Sequence, residues 1–154
     1  MGYLADITKQ LEDEQDVIFV GTGIILVNRY GDILLARRTD NNEWSLPGGS
    51  LEVGETLEEC IVRETFEETR IIVKESDLHL NSAKSILEPI IKNGRKIYIV
   101  SISFWANAYD DIDMSLDSRE FTKYGWFNQE EIKQLGNITP YSIAALKAYF
   151  KNLE

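Results

Sequence analysis

The sequence has few of the residues that disulfide scaffolds, polyanion-binding surfaces and membrane spans require. Its single cysteine, Cys60, cannot form an internal disulfide and is predicted to be a buried structural thiol. With 16 basic and 26 acidic residues the net charge is −10, which argues against a nucleic acid polymer as partner. No apolar run reaches the roughly 18 residues of a membrane span, and no signal peptide is recognisable. We therefore expect a cytoplasmic protein without a membrane partner.

The overall composition is typical of one globular domain. Hydrophobic residues make up 44% of the chain and aromatic residues 10%, which is enough for a substantial core. No Pro-rich, Ser-rich or repetitive segment marks a linker, so we expect a single domain over residues 1–154. Strand-like and helical patterns alternate along the chain. This alternation predicts an α/β fold in which helices flank a mixed sheet.

Local patterns place the predicted elements. Apolar residues at helical spacing predict a short amphipathic helix over residues 3–14. Asn93-Gly94 is a strong two-residue hairpin signal, whereas the segment 41–49 predicts an irregular loop. Pro140 opens the last helix. The predicted strands are 17–28, 33–38, 86–91, 96–109 and 120–127, and the further helices are 57–70, 129–136 and 140–152.

The second predicted helix carries more acid than a buried helix tolerates. Thr56 is its expected N-cap, and its apolar stripe continues as three carboxylates, Glu64, Glu67 and Glu68. Two interpretations are open: the side chains reach solvent near a frayed helix end, or a cation joins them. Like charges this close repel one another unless a cation neutralises them. Clustered oxygen ligands suit Mg²⁺ or Mn²⁺.

The same helix and the loop before it resemble the Nudix hydrolase box. Over 23 residues the chain has the residue types of that motif at its spacing: Gly49, Glu55, Arg63-Glu64, Glu67-Glu68 and Ile71. Two positions depart from it, because Thr65 stands where an aliphatic residue is preferred and Arg70 replaces the glycine that ends the helix. From residue 17 to 135 the order of elements is similar to the Nudix fold. The resemblance implies an α/β/α sandwich with a mixed sheet.

The resemblance also implies a metal-dependent active site. Glu64 and Glu68 would be the main ligands of Mg²⁺ or Mn²⁺, with Glu67 assisting directly or through water. The carbonyl oxygen of Gly49 would complete the ligand set. The bound metal would activate the water that attacks a diphosphate phosphorus.

Two further roles follow from the same resemblance. Arg63 would orient the loop and the helix by pairing with Glu55 or Glu52. The general base would be Glu64 or Glu120, which lies outside the box and precedes Trp126 by six residues. The sequence leaves this choice open.

Residues outside the box would select the substrate. Arg37 and Arg38 end a predicted strand near the site, and strand alternation turns only one of them inward. Trp44 is a third candidate substrate-binding residue, although packing of the loop is the simpler interpretation. The expected substrate is a small molecule, a nucleoside diphosphate linked to another group.

Other functions on the same fold remain open. One is a glycosyl hydrolase acting on a GDP-mannose-type substrate, and another is a catalytically silent binding or regulatory protein. The intact Glu64, Glu67 and Glu68 argue against the silent protein. The glycosyl hydrolase form departs from the box at the glutamate after the arginine, which this chain retains as Glu64. An isoprenoid diphosphate isomerase would need a reactive cysteine, whereas Cys60 is predicted to face the core. The oligomeric state is open, a homodimer being one alternative to a monomer.

Overall fold

A computed structural model describes residues 3–10, 15–109 and 114–153, with side chains from residue 6 onward. No helix in these ranges is long and apolar enough to cross a lipid bilayer. The helices are α1 (Tyr3–Gln10), α2 (Leu57–Thr69), α3 (Gln129–Leu135) and α4 (Pro140–Asn152), and Glu75–Asp77 form a short 3₁₀ helix. The strands are β1 (Val17–Val27), β2 (Ile33–Arg38), β3 (Trp44–Ser45), β4 (Gly48–Ser50), β5 (His79–Lys92), β6 (Arg95–Asn107) and β7 (Phe121–Phe127).

Within the described residues, these seven strands form one mixed sheet. Five of them follow the order β3-β2-β1-β6-β5, while β4 pairs with β1 and β7 with β2. The β1–β6 pair is parallel, and the other pairs are antiparallel. The mixed sheet predicted from the sequence is confirmed.

Both faces of the central strand β1 are buried. Ile25 and Val27 pack on one face with residues of α3 and α4, whereas Ile24 and Leu26 pack on the other face with Ile61 of α2. Alternate residues of a strand point to opposite faces, so a strand that is apolar at successive positions is covered on both sides. The α/β/α sandwich is therefore confirmed.

The structure corrects the prediction in two places. The segment 41–49 is not simply irregular, because it contains β3 and the beginning of β4. Strand β5 begins at His79, seven residues earlier than predicted, since polar residues on an edge strand hide the pattern. Helix α1 is described to Gln10, and the rest of its predicted length lies outside the described residues. The predicted Asn93-Gly94 hairpin is confirmed, with φ of 52° and 79° at its two turn residues.

The end of α2 has the left-handed geometry that a glycine would adopt without strain. Arg70 has φ 65° and ψ 6°, and its N–H donates to the carbonyl oxygen of Phe66. Its guanidinium lies 5.0 Å from the centre of the exposed Phe66 ring. The chain thus keeps the backbone geometry for which the box has glycine, although Arg70 carries a Cβ. The strain lowers the stability of the folded state by about 1 kcal/mol.

We expect Arg70→Gly to relieve this backbone strain. Arg70→Ala is the matched control, because it also removes the cation–π contact but retains the Cβ. The glycine variant should be about 1 kcal/mol more stable than the alanine variant, since only glycine adopts positive φ freely. Urea denaturation of both variants measures the difference. An alanine variant as stable as the glycine variant would show that the left-handed cap is not strained.

Candidate active site

Two glycines bring strand β4 close to β1 and α2. A Cβ on Gly48 would overlap the backbone carbonyl of Thr22, and a Cβ on Gly49 would overlap the carboxylate of Glu64. The hydroxyl of Thr22 donates to the carbonyl oxygen of Gly49 at 3.1 Å. Only glycine permits this approach, which places a backbone carbonyl beside the acidic helix.

Arg63 connects α2 to the loop that precedes it. Its guanidinium donates to both carboxylate oxygens of Glu55, at 2.6 and 3.0 Å, and to the Glu64 carboxylate at 2.8 Å. Glu55 also accepts from the N–H of Glu52 at 3.1 Å. Of the two predicted partners, Glu55 pairs with the Arg63 side chain. A bidentate pair of this kind restricts orientation as well as contributing energy.

Glu68 is a buried carboxyl group. Its side chain accepts a hydrogen bond of 2.7 Å from the N–H of Gly48, and the residue is only 4% exposed. Burial and a hydrogen-bond contact with Glu120 raise the pKa of Glu68 well above its usual range. Burial also raises the pKa of Glu64 to about 7, although Arg63 opposes this shift. Both shifts are those expected of carboxylates crowded together out of water.

The other two predicted acids lie at the edge of this group. The side chain of Glu67 is 54% exposed and its carboxylate lies 3.3 Å from the Arg63 guanidinium. Glu120 is exposed and lies in the turn before β7, whereas the sequence predicted it at the start of the strand. Glu120 nevertheless interacts with both Glu68 and Glu64. The structure therefore brings the predicted metal-binding and catalytic acids together around the buried Glu68.

The donors present suit a hard divalent cation. Across the described ranges, no three carboxylates already form the close ligand set of an ion. The chemistry of the donors nevertheless fits Mg²⁺ or Mn²⁺, because carboxylate oxygens and a backbone carbonyl are gathered where their mutual repulsion is only partly offset by Arg63. Glu64, Glu68 and the Gly49 carbonyl are the groups that could hold it, with Glu67 and Glu120 beside them.

The raised pKa values predict how stability changes with pH. A carboxyl with a raised pKa in the folded state binds its proton more tightly there than in the unfolded chain. Stability is therefore lost as pH rises from about 4.5, the ordinary Glu value, to about 7, the value for Glu64. We expect the metal-free protein to melt at a lower temperature at pH 7.5 than at pH 5.

Added Mg²⁺ should reverse much of that loss. At millimolar concentration it should raise the melting temperature at pH 7.5 by several degrees, because a ligand that binds only the folded state stabilises it by mass action. Glu64→Gln is the matched variant, since it removes one titrating carboxyl and should flatten the pH dependence. Identical melting curves with and without Mg²⁺ would contradict a metal site here.

A cavity of about 310 Å³ adjoins Gly48, Gly49 and Ser50. We call it the inner cavity. Its walls come from β1, β5, β6 and the start of α4, and it meets an outer cavity of about 650 Å³ lined by the Asp40 loop, β5 and Pro140. Both sizes lie in the range of small-molecule sites. Gly48 and Gly49, which lie against Glu68 and Glu64, form part of the wall of the inner cavity, whereas the acids themselves do not line it.

Only one of the predicted substrate-binding residues lines these cavities. Arg38 lines both and binds Asp40 through two hydrogen bonds, of 2.9 and 2.7 Å. Arg37 lines neither, and it donates instead to the carbonyl oxygen of Asn42. Trp44 is 8% exposed and packs edge-on against Phe127 in the core, so the structure does not bring it to the cavity.

Some residues of the site were not found from the sequence. Asp40 and Tyr141 hold the Arg38 guanidinium, Tyr141 through a 3.3 Å hydrogen bond that spans 103 positions of the chain. No local pattern could have indicated a contact over that separation. Cys60, in contrast, is fully buried as predicted, and burial raises the pKa of its thiol to about 11.

Comparison with known proteins shows the family of the chain. A family model described as NUDIX domain matches residues 18–148, so the chain belongs to the NUDIX domain family. The family predicted from the motif is confirmed.

Several named relatives share part of the sequence. The RNA pyrophosphohydrolase of Shewanella baltica is 42% identical over 55 residues, which is 36% of this chain and 32% of that protein. The NAD-capped RNA hydrolase NudC of Erwinia tasmaniensis is 32% identical over 114 residues, covering 73% of this chain and 40% of that protein. The matched region thus spans only about a third of the length of the first and two fifths of the second.

Solved structures share the fold. A MutT protein from Methanosarcina mazei Go1 superposes with a TM-score of 0.70 at 22% identity, covering 90% of this chain and 98% of that one. The NUDIX domain of NrtR from Shewanella oneidensis, solved with ADP ribose, gives a TM-score of 0.72 at 13% identity over the full length of both chains. At these identities the similarity shows the fold alone.

Proposed function

We propose that this protein hydrolyses a diphosphate linkage in a small nucleoside diphosphate derivative and requires Mg²⁺ or Mn²⁺. The observation that carries the proposal is the buried Glu68, held by the Gly48 N–H and surrounded by Glu64 and Glu120, at the edge of a ligand-sized cavity. A buried acidic group beside a cavity has no structural advantage unless a cation is bound there.

Each residue has a distinct part in this reaction. Glu64, Glu68 and the Gly49 carbonyl would hold the metal, with Glu67 assisting. When bound, the metal supplies charge neutralisation at the phosphate oxygens and lowers the pKa of the attacking water. Arg63 keeps the loop and helix in register through Glu55, as a positioning residue.

Proton transfer and phosphate binding involve further residues. Glu64 or Glu120 accepts the proton of the attacking water. Arg38, held by Asp40 in the cavity wall, is oriented to bind a phosphate oxygen of the substrate.

The named relatives support hydrolysis of phosphoanhydrides. The first is called an RNA pyrophosphohydrolase and the second an NAD-capped RNA hydrolase. The net charge of −10 leads us to propose small nucleotide derivatives in preference to a nucleic acid polymer.

A substrate panel tests the proposal. Nucleotide sugars, ADP-ribose, dinucleotides and nucleoside triphosphates would be incubated with Mg²⁺, and ³¹P NMR would identify the products. We expect a cleaved diphosphate in at least one case and no reaction in excess EDTA. Release of free sugar with the diphosphate intact would instead indicate a glycosyl hydrolase. Tight binding of a panel compound without any turnover would indicate a binding protein, and either result would refute the proposal.

A further inference from the structure

The turn before β7 brings the carboxyl group of Glu120 into contact with that of Glu68. None of the ion pairs among the described residues includes Glu120. The guanidinium of the neighbouring Arg119 binds Asp117 instead, at 3.0 and 3.1 Å. Two carboxylates in contact repel one another when both are ionised. The position of Glu120 in the metal-free protein therefore depends on what holds its backbone.

Thr39 holds this backbone from the side of β2. Its N–H donates to the carbonyl oxygen of Glu120 at 2.8 Å. Its hydroxyl lies 3.1 Å from the same oxygen and 3.0 Å from the carbonyl oxygen of Arg119, and it is the donor in both contacts. A hydroxyl has one proton, so the two carbonyl groups share it. One side chain thus binds the two consecutive peptide units that carry Glu120.

A bulge in β7 aligns Thr39 with Glu120. The register of β2 against β7 shifts between Arg37 and Arg38, because Thr122 is an extra residue of β7 without a partner. Without that extra residue, Thr39 would lie opposite the residue that follows Glu120. With it, the ladder continues beyond the end of β2 as the bond from the Thr39 N–H to the Glu120 carbonyl. Bulges change where neighbouring side chains point, and they are frequent beside active sites.

The same turn is bound to the end of α2 on its other side. The N–H of Asp117 donates to the carbonyl oxygen of Glu68 at 3.0 Å, and the N–H of Ser115 donates to that of Thr69 at 2.9 Å. The last carbonyl groups of a helix have no partner within the helix, so the turn supplies their donors. The turn is therefore held between α2, which carries Glu68, and the residue that follows β2. This arrangement fixes Glu120 relative to Glu68.

Thr39 is separate from the walls of the two cavities. Its neighbours in sequence, Arg38 and Asp40, line both cavities, whereas Thr39 lines neither. Arg38 is held by its own hydrogen bonds to Asp40 and Tyr141. The cavity wall therefore does not depend on the hydroxyl of Thr39, which binds only the turn of Glu120.

We infer that Thr39 is a positioning residue, whose hydroxyl holds the turn of Glu120 so that the Glu120 carboxyl remains against Glu68. Its effect on catalysis rests on the proposed function, because that function gives Glu120 a part in proton transfer. A reacting group displaced by about 1 Å can lower a rate about 100-fold. The N–H of Thr39 still holds the turn when the hydroxyl is absent, so we expect a smaller loss, of about 10-fold in kcat.

Two variants of Thr39 test the role of its hydroxyl. Thr39→Val removes the hydroxyl and keeps both the side-chain shape and the N–H, and it should lower kcat about 10-fold with KM changed by less than about twofold. Thr39→Ser keeps the hydroxyl and should stay within about twofold of the wild type. Thr122→Val is the matched control, because Thr122 is exposed, lines neither cavity and makes only a 3.5 Å contact with the carbonyl oxygen of Arg37. A Thr39→Val enzyme with wild-type kcat would overturn the inference.

A double-mutant cycle with Glu120→Gln distinguishes positioning from general support of the fold. If Thr39 acts through Glu120, Thr39→Val should change kcat by less than about twofold once Glu120 is already glutamine, because residues that act as a unit are not additive. An equal 10-fold loss in both backgrounds would show that Thr39 supports the site in another way, and it would overturn the inference. A Glu120→Gln enzyme with near-normal kcat would overturn it as well.

Amide hydrogen exchange separates this inference from the proposed function, because it needs no substrate. The N–H groups of Asp117, Glu120 and Phe121 are hydrogen-bonded in the turn. In metal-free Thr39→Val they should exchange about 3- to 10-fold faster than in the wild type or Thr39→Ser, since the turn opens more often. Unchanged exchange would overturn the inference even if a diphosphate is cleaved. Faster exchange without cleavage of any panel compound would refute the proposed function, and Thr39 would remain the residue that holds the turn.

Discussion

Replacing Glu68 by glutamine is expected to lower turnover at least ~100-fold, the scale of losing one key electrostatic group from an active site. The substitution is nearly isosteric, and the glutamine side-chain oxygen can still accept the hydrogen bond from Gly48. What it removes is the negative charge at the most buried point of the acidic group, where a divalent cation would gain most from it. Steady-state kinetics with Mg²⁺ measure the effect.

Stability should change in the opposite direction from activity. Burial raises the pKa of Glu68 in the absence of metal, so a neutral amide at this position should leave the metal-free protein at least as stable as the wild type. The gain in melting temperature on adding Mg²⁺ should shrink in the variant. Glu58→Gln, at an exposed position in the first turn of the same helix, should leave turnover within about twofold. A Glu68→Gln enzyme with nearly full activity would refute the metal site.

Glu120→Gln is expected to lower kcat by ~10²–10⁴-fold, the range for losing a general base. Glu120 lies in an exposed turn, so the amide should leave the fold and its stability almost unchanged. Its carboxyl contacts Glu68 and also interacts with Glu64, and it lines neither cavity, so its expected role is at the acidic group and not in substrate binding. KM should therefore change far less than kcat.

A pH profile decides between the two candidate bases. If Glu120 is the base, the variant should lose the acidic limb of the pH–rate profile, whereas Glu64→Gln should retain it with weaker metal binding. A Glu120→Gln enzyme with near-normal kcat would show that Glu120 is a solvent-exposed residue without a catalytic role. Glu64 would then be the only candidate that the site offers among the described acids.

The candidate site was largely predictable because its residues are close in sequence. Gly49, Glu55, Arg63, Glu64 and Glu68 lie within 20 positions, and helical spacing alone places the acids on one side of α2. The geometry of Arg70 could not be predicted in the same way. Without glycine the helix could have ended in several conformations, and only the coordinates show the left-handed one.

The sequence by itself determined most of the elements, the mixed sheet and the acidic helix, because periodicity and turn residues act over a few positions. Tertiary structure decided the rest. It turned Arg38 into the cavity and Arg37 away, and it buried Trp44. These outcomes depend on which strands pair and in what register, and pairing between β1 and β6 joins residues about 80 positions apart. Local patterns carry no information over that distance.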